Sequence, residues 1–354
     1  MKKRLIILVF LTVAFSTSAQ RHEIDSITAL LPQLQDEDRL NAMRLLLNLT
    51  RETPDERYYV KIFLEEADRQ KNISMGGLAW TRLMSSYWNV FDSDSVYIVG
   101  EEAMRFTRQH KLYSSLFFTQ HQLIRRYLID GKIITALRKA EEAYEEAKAL
   151  QEITAIASMQ AVIGEIYDTM DIFDEAERYF MESIEMADQN REDTNGTGSF
   201  FVMTYYSLMY LNKNRNQLDE MLRYTDSLQV ELERFNHNFT DANTDIYSFL
   251  MESSRAIAYA KLKQPEPALQ AMQRAETLFD PDWNDDFYEA QIDEMYGAYY
   301  FALGNYDKAL EHQSRFLKYF HDTHGASYMF DAATKDYAMM FLEKGDHKNA
   351  ALTY

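Results

Sequence analysis

Hydrophobic positions recur along this chain in a long register. Tyr87, Tyr127, Tyr167, Tyr210, Tyr259, Tyr300 and Phe341 are separated by 40, 40, 43, 49, 41 and 41 residues, the self-similarity expected of stacked units. Nine residues after each stand Val96, Ala136, Ala176, Asp219, Ala268, Ala309 and Ala350. A fixed offset inside each unit with a variable remainder between units is how a helical hairpin repeat behaves. Four residues before each aromatic are Leu83, Leu123, Ile163, Tyr206, Arg255, Tyr296 and Tyr337, a spacing that puts both on one helix face. The next position holds Met84, Ile124, Gly164, Ser207, Ala256, Gly297 and Ala338; most are small, so a partner helix can approach closely. Four residues after each aromatic come Phe91, Gly131, Asp171, Asn214, Lys263, Gly304 and Gly345. Gly, Asn and Asp tolerate the left-handed conformation that ends a helix, which predicts a turn there in most units.

Upstream, Ile27, Leu30, Leu31 and Leu34, and then Leu40, Met43, Leu46 and Leu47, also have helical spacing. Val60, Leu64 and Ala67 close a degenerate repeat. Residues 20–76 therefore read as a helical lead-in and 77–354 as about seven repeats, the last incomplete. The stretches 193–199 (DTNGTGS) and 236–245 (NHNFTDANTD) read as loops. Pro265 and Pro267 mark the start of a second helix, where a missing amide proton costs little. No run alternates like a strand. The predicted fold is all-α, a superhelical solenoid of antiparallel helix hairpins. Because the sequence stops at Tyr354 inside a second helix, its last hairpin is expected to lack a polar cap and to fray, as in a truncated product.

These residues resemble the tetratricopeptide (TPR) repeat family. The clearest copy is Tyr296, Gly297, Tyr300, Gly304, Tyr306 and Ala309, followed by Ile163, Gly164, Tyr167, Phe173, Ala176 and Phe180; Trp80 fills the family's leading aromatic position in the first clear unit. The period is nearer 40 than the family's, which longer helices would explain, and Asp219 stands where a small residue belongs. The resemblance implies a concave groove lined by the first helix of each pair. It extends to the exported sensor regions of bacterial membrane-bound regulators of the histidine-kinase type.

Composition narrows the setting. With 46% hydrophobic and 14% aromatic residues, and only 5 Pro and 11 Gly, the chain should be folded and helical nearly throughout. Lys2, Lys3 and Arg4, an apolar run from Leu5 to Phe15 and small residues Ser16 to Ala19 make the three parts of a secretory signal, with cleavage expected after Ala19. Removing residues 1–19 deletes three basic residues and no acid, so the formal charge moves from -19 to -22. That balance repels nucleic acid and anionic membrane surfaces. The absence of cysteine excludes disulfides, thiolate metal sites and a lipobox. Export without disulfides points to a bacterial periplasm, with no membrane insertion of the processed chain. Sequons beginning at Asn48, Asn72, Asn195 and Asn238 read as incidental.

Motifs that would carry chemistry are weak. His321 and His324 in HDTHG lack a third ligand motif and read as a helix end. Asp92 and Asp94 recur as in a calcium loop, but Val96 and Ala103 occupy its later ligand positions. The segment 280–289 (DPDWNDDFYE) reads as an acidic loop around Trp283. GxSxG, HExxH and Walker patterns are absent, so neither enzyme activity nor a cofactor is expected.

The expected function is binding of a protein or peptide in the concave groove, with glycan capture by aromatic faces as the alternative. Register assigns the groove Thr81, Ser85, Trp88 and Asn89; Phe118, His121, Arg125 and Leu128; Ala161, Glu165 and Asp168; and then Leu208, Leu211, Ile257, Lys261, Glu294, Phe301, Lys335 and Met339. Trp88, Asn89, His121, Arg125, Glu165 and Asp168 are the ligand-binding candidates, with Trp88 and Arg125 foremost because aromatic and Arg anchors dominate interfaces. The basic clamp with which TPR co-chaperones hold acidic tails has no counterpart beyond Arg125, Lys261 and Lys335.

Overall fold

A computed structural model describes residues 20–353 except 52, 89–91, 191–197, 236–240, 282, 284–285 and 325–327. The signal segment 1–19, Asn89, Phe91 and most of the two expected loops lie outside the described residues; 241–245, read as part of the second loop, are helical. Among the described residues there is no strand. Helix α1 (20–30) and a 3-10 turn (Leu31–Gln33) lead into α2 (Asp36–Leu49), α3 (Glu56–Arg69), α4 (Ile73–Trp88), α5 (Ser93–Gln109), α6 (Tyr113–Ile129) and α7 (Ile133–Leu150). There follow α8 (Ile153–Thr169), α9 (Phe173–Gln189), α10 (Gly198–Asn214), α11 (Leu218–Phe235), α12 (Asp241–Lys261), α13 (Pro265–Leu278), α14 (Asp286–Ala302), α15 (Tyr306–His324), α16 (Tyr328–Lys344) and α17 (His347–Thr353). The chain divides into two compact units at Ala155 and Ile156, inside the first turn of α8.

In each unit, successive helices pack against one another as hairpins, and one repeated turn explains why. The amide five residues past each register residue reaches back to its carbonyl: Asp92 to Tyr87, Lys132 to Tyr127, Ile172 to Tyr167, Gln264 to Tyr259, Asn305 to Tyr300 and Asp346 to Phe341, at 2.8–3.1 Å. The residue before that donor is left-handed in five of these turns, at Gly131, Asp171, Lys263, Gly304 and Gly345, with φ from 57° to 82°. This is the closure that satisfies the last carbonyls of a helix. The same closure joins one hairpin to the next, from Asn72 to Ala67, Leu112 to Thr107 and Glu152 to Ala147, with Lys71, Lys111 and Gln151 left-handed. Several closing donors then cap the following helix: Asp92 accepts from the Ser95 amide at 3.2 Å, Asn72 from Met75 at 3.1 Å and Asp346 from Asn349 at 3.1 Å. Asp92 is thus a helix cap.

The turns correct one register. In the α10/α11 hairpin the closing bond runs from Gln217 to Asn212, and the left-handed residue is Asn216. The register residue is therefore Asn212, two residues beyond Tyr210, and the position nine later is Met221, which is fully buried, where Asp219 is exposed. With that shift, every position nine after the register residue is buried: Val96, Ala136, Ala176, Met221, Ala268, Ala309 and Ala350. The small residues of the first helix explain the tightness. A Cβ on Gly164 would sit 3.2 Å from the Ala176 carbonyl oxygen and 2.9 Å from the Phe180 ring, so the antiparallel partner lies against bare backbone.

The first unit's core begins in the lead-in, where Leu40, Met43, Leu46 and Leu47 of α2 meet Val60, Phe63 and Ala67 of α3 and Ala79 and Leu83 of α4. The second unit has a core around Phe180, Phe201, Met209, Tyr224 and Leu228 and another around Phe249, Ile257, Met272 and Met295. Trp283 lies between α13 and α14, as expected, and packs edge-on against Phe249, Phe279 and Tyr288 with ring centroids 5.0–5.9 Å away.

Candidate functional site

Trp88 ends α4 half-buried, against Met84, Val96, Met104, Leu116 and Leu123. The guanidinium of Arg126 lies 5.6 Å from its ring centre, a cation–π contact from the next hairpin. Arg126 donates to Asp130 Oδ1 at 2.6 Å, and Asp130 also accepts from Tyr97 Oη at 2.5 Å and Ser93 Oγ at 3.2 Å. Burial works against the Asp130 carboxylate, but these three donors outweigh it and hold its pKa below the ordinary value. Trp88 therefore belongs to a polar and aromatic staple between two hairpins.

His121 and Arg125 stand one turn apart on α6, with Phe118 a turn earlier. Burial, and then the Arg125 charge, push the His121 imidazole down to about 3, so it is neutral at neutral pH. Phe118 remains 46% exposed. The α6 face thus combines an exposed ring, a neutral imidazole and a guanidinium. Glu165 and Asp168, a turn apart on α8, belong to the second unit, whereas Trp88, His121 and Arg125 belong to the first. Arg125, Glu165 and Asp168 all have partners.

In the second unit the inner face is occupied by its own side chains. Lys213 Nζ lies 2.6 Å from Glu294 Oε2, with the two side chains only 9% and 10% exposed, and Tyr210 Oη donates to Gln291 Oε1 at 3.1 Å. These contacts join α10 to α14 across α12; Lys261 likewise pairs with Asp336 of α16 at 2.8 Å. Tyr206 packs on Tyr210 and Tyr247, and burial pushes its hydroxyl well above the ordinary tyrosine pKa. Three positions expected in the groove are core: Leu208, Leu211 and Ile257 are at most 1% exposed. For Leu208 and Leu211 the two-residue register shift is the reason, since it turns Tyr206, Tyr210 and Lys213 inward instead. Glu294 and Lys261 are consumed by the pairs just named, while Met339 stays 43% exposed.

A second pattern, not read from the sequence, ties the two helices of a hairpin together. The residue seven before the register position bonds the residue fifteen after it: Gln160 to Glu182 at 3.3 Å, Arg274 to Glu252 at 2.9 Å and Arg315 to Asp293 at 2.9 Å. In the α6/α7 hairpin, Gln120 Nε2 instead donates to Glu146 Oε2 at 2.8 Å. Polar residues at this otherwise apolar level of the repeat were the signal available.

Above Gln120, a cleft of about 120 Å³ opens between α5 and α7, with α6 as its floor. Met104, Leu123, Ile124 and Tyr127 supply apolar surface; Glu101, Arg108, Lys139, Glu142 and Glu146 supply charge. Burial, and then the Glu101 carboxylate, raise the Tyr127 hydroxyl pKa. Among the described residues no group of three or more His, Asp and Glu could hold a metal, and no helix is long and apolar enough to cross a membrane.

No protein-family model matches the chain, and no curated protein is similar to it in sequence. Solved structures are similar in fold. The Rap conjugation gene regulator of the plasmid pLS20, in complex with the Phr* peptide, gives a TM-score of 0.59 at 11% identity, over 95% of this chain and 93% of that one. A Rap protein complexed with competence and sporulation factor gives 0.50 at 13% identity, over 95% and 99%. The chain has the TPR-like helical repeat fold of these proteins.

Proposed function

We propose that this chain is a non-catalytic binding protein that receives a peptide or protein segment on the first helices of the hairpins in its first unit. The observation that carries this is the contrast between inner faces. In the second unit Lys213, Tyr210, Gln291 and Glu294 satisfy one another, whereas α6 leaves Phe118 46% exposed beside His121 and Arg125. An exposed aromatic next to a guanidinium suits a backbone or side chain that must be both gripped and hydrogen-bonded. Two proteins of similar fold were solved with a peptide or factor bound, which supports the same class of ligand here. The signal-like residues 1–19 motivate export, and with it a role as the sensory part of a bacterial signalling protein.

A displayed random-peptide library selected on the processed protein tests the reading. Phe118→Ala and Arg125→Ala should each weaken a selected peptide by about 1 kcal/mol or more while the thermal unfolding curve is kept. Selected peptides that ignore both changes would refute the assigned face. Export is checked by N-terminal sequencing of periplasmic material, which should begin at Gln20; intact Met1 in the cytosol would refute it.

A further inference from the structure

The cleft between α5 and α7 holds an unanswered acceptor and an unanswered charge. Gln120 is 8% exposed, and its Nε2 donates to Glu146. A carboxylate requires a donor, so this bond fixes the orientation of the amide. Its Oε1 is then turned away from Glu146, buried and without a hydrogen-bond partner, a costly state for an amide oxygen.

The charges around it do not cancel. Arg108 is paired with Glu146 through two bonds, Nε to Oε1 at 2.8 Å and Nη2 to Oε2 at 2.9 Å, and feels Glu101 only through its charge. Lys139 pairs with Glu142 at 3.2 Å. Glu101 has no ion pair among the described residues, although it lines the same cleft. What remains is one carboxylate and one buried acceptor beside apolar surface from Met104 of α5 and Leu123, Ile124 and Tyr127 of α6. A guest that fits has a positive end rich in donors and a narrow aliphatic body.

We propose that this cleft is a second binding site, which takes a primary alkylammonium group: the side chain of a lysine, or a free aliphatic amine. The ammonium would face Glu101 and, because Gln120 Oε1 is closed to water at rest, would take up that acceptor only as the amide swings toward the cleft, while its methylenes cover the apolar surface. The site lies between two second helices, so it is independent of the face proposed for peptides.

Methyl-labelled protein with the probes Nα-acetyl-lysine methylamide, pentylamine and the neutral isostere Nα-acetyl-norleucine methylamide tests this. The Met104 and Ile124 methyl resonances should shift saturably with both amines, and with the neutral probe about tenfold more weakly or not at all, as expected for losing a charged hydrogen bond. Glu101 is exposed, so Glu101→Gln should fold normally and weaken both amines by a similar factor. Gln120→Met should do the same; if it unfolds, Glu101→Gln alone decides. A protein-linked lysine and a free amine are told apart by which of the two amine probes saturates at lower concentration. Equal binding of the neutral probe, undiminished amine binding in Glu101→Gln, or no saturable shift in either methyl would overturn the proposal.

Discussion

Lys213→Met tests whether the inner face of the second unit holds that unit together. The ammonium and the Glu294 carboxylate are 2.6 Å apart, with side chains 9% and 10% exposed, and Lys213 also lies 4.9 Å from the Tyr210 ring centre. An exposed pair would contribute at most about 1 kcal/mol. Here the substitution leaves a carboxylate nearly out of water with no counter-charge, a loss of about 3–5 kcal/mol. Replacing both, as Lys213→Met with Glu294→Leu, removes the stranded charge together with its partner and should cost about 1 kcal/mol or less. The cycle therefore predicts a coupling of at least about 2 kcal/mol between two residues 81 positions apart. Urea unfolding followed by circular dichroism gives the free energies. Hydrogen exchange locates the effect, which should fall on α10 and α14 and spare α2 to α6. A single-variant loss below about 1 kcal/mol, or a double variant no better than the single, would refute a buried, desolvated pair.

Lys111 is left-handed, with φ 56°, so Lys111→Gly should raise the urea midpoint by the equivalent of about 1 kcal/mol; a lower midpoint would count against the turn. Gly164→Ala should destabilise by about 1–3 kcal/mol, since the new methyl meets the Ala176 carbonyl at 3.2 Å and buried Phe180 at 2.9 Å. At Gly297 a new methyl meets the Gln313 side-chain oxygen at 3.1 Å but backbone only at 3.5–3.6 Å, so Gly297→Ala should fall within about 1 kcal/mol of wild type, the side-chain amide giving way and helix propensity offsetting the crowding; equal losses at both sites would remove the distinction. The hydrogen bond from Arg69, opposed by burial and aided by Gln70 and Arg39, holds the Glu66 carboxyl down at about 2 against an ordinary 4.5. A depressed folded pKa gives stability that is complete above 4.5 and is lost as pH falls toward 2, so Glu66→Gln should lose about 1–2 kcal/mol less than wild type between about pH 6 and pH 3.

The sequence carries the helix pairs and most turns plainly, because a nine-residue offset and a left-handed residue are local properties. It fails by two residues around Tyr210 for a local reason too. Tyr205, Tyr206 and Tyr210 crowd that helix, and both Asn214 and Asn216 tolerate a left-handed turn. The buried position settles it, since Met221 suits a core and Asp219 does not. Lys71, Lys111, Gln151 and Lys263 were poor turn signals because long side chains rarely adopt positive φ. The helix face bearing His121 and Arg125 followed from register alone. That Trp88 would be clasped by Arg126 did not, since it depends on how neighbouring hairpins rotate. Contacts spanning two hairpins, such as Lys213 to Glu294, are the least legible, because each intervening helix adds its own rotation before the side chains meet.

This difference in reach also separates binding from cohesion in the second unit. Its inward positions carry Tyr206, Tyr210 and Lys213, the aromatic and cationic types that would otherwise make an interface. They are spent inside the molecule because α14 offers Gln291 and Glu294 at matching heights. A ligand entering there would have to displace a desolvated ion pair and leave at least one charge unanswered, unless it supplied both replacements itself. On the α6 face Phe118 is already in water and the imidazole is already neutral, so a ligand would have to replace only the contacts that Arg125 makes. Two stretches built from one repeat thus differ according to what the hairpin two steps away presents; on the proposed reading, residue types that hold the second unit together are the anchors of the first.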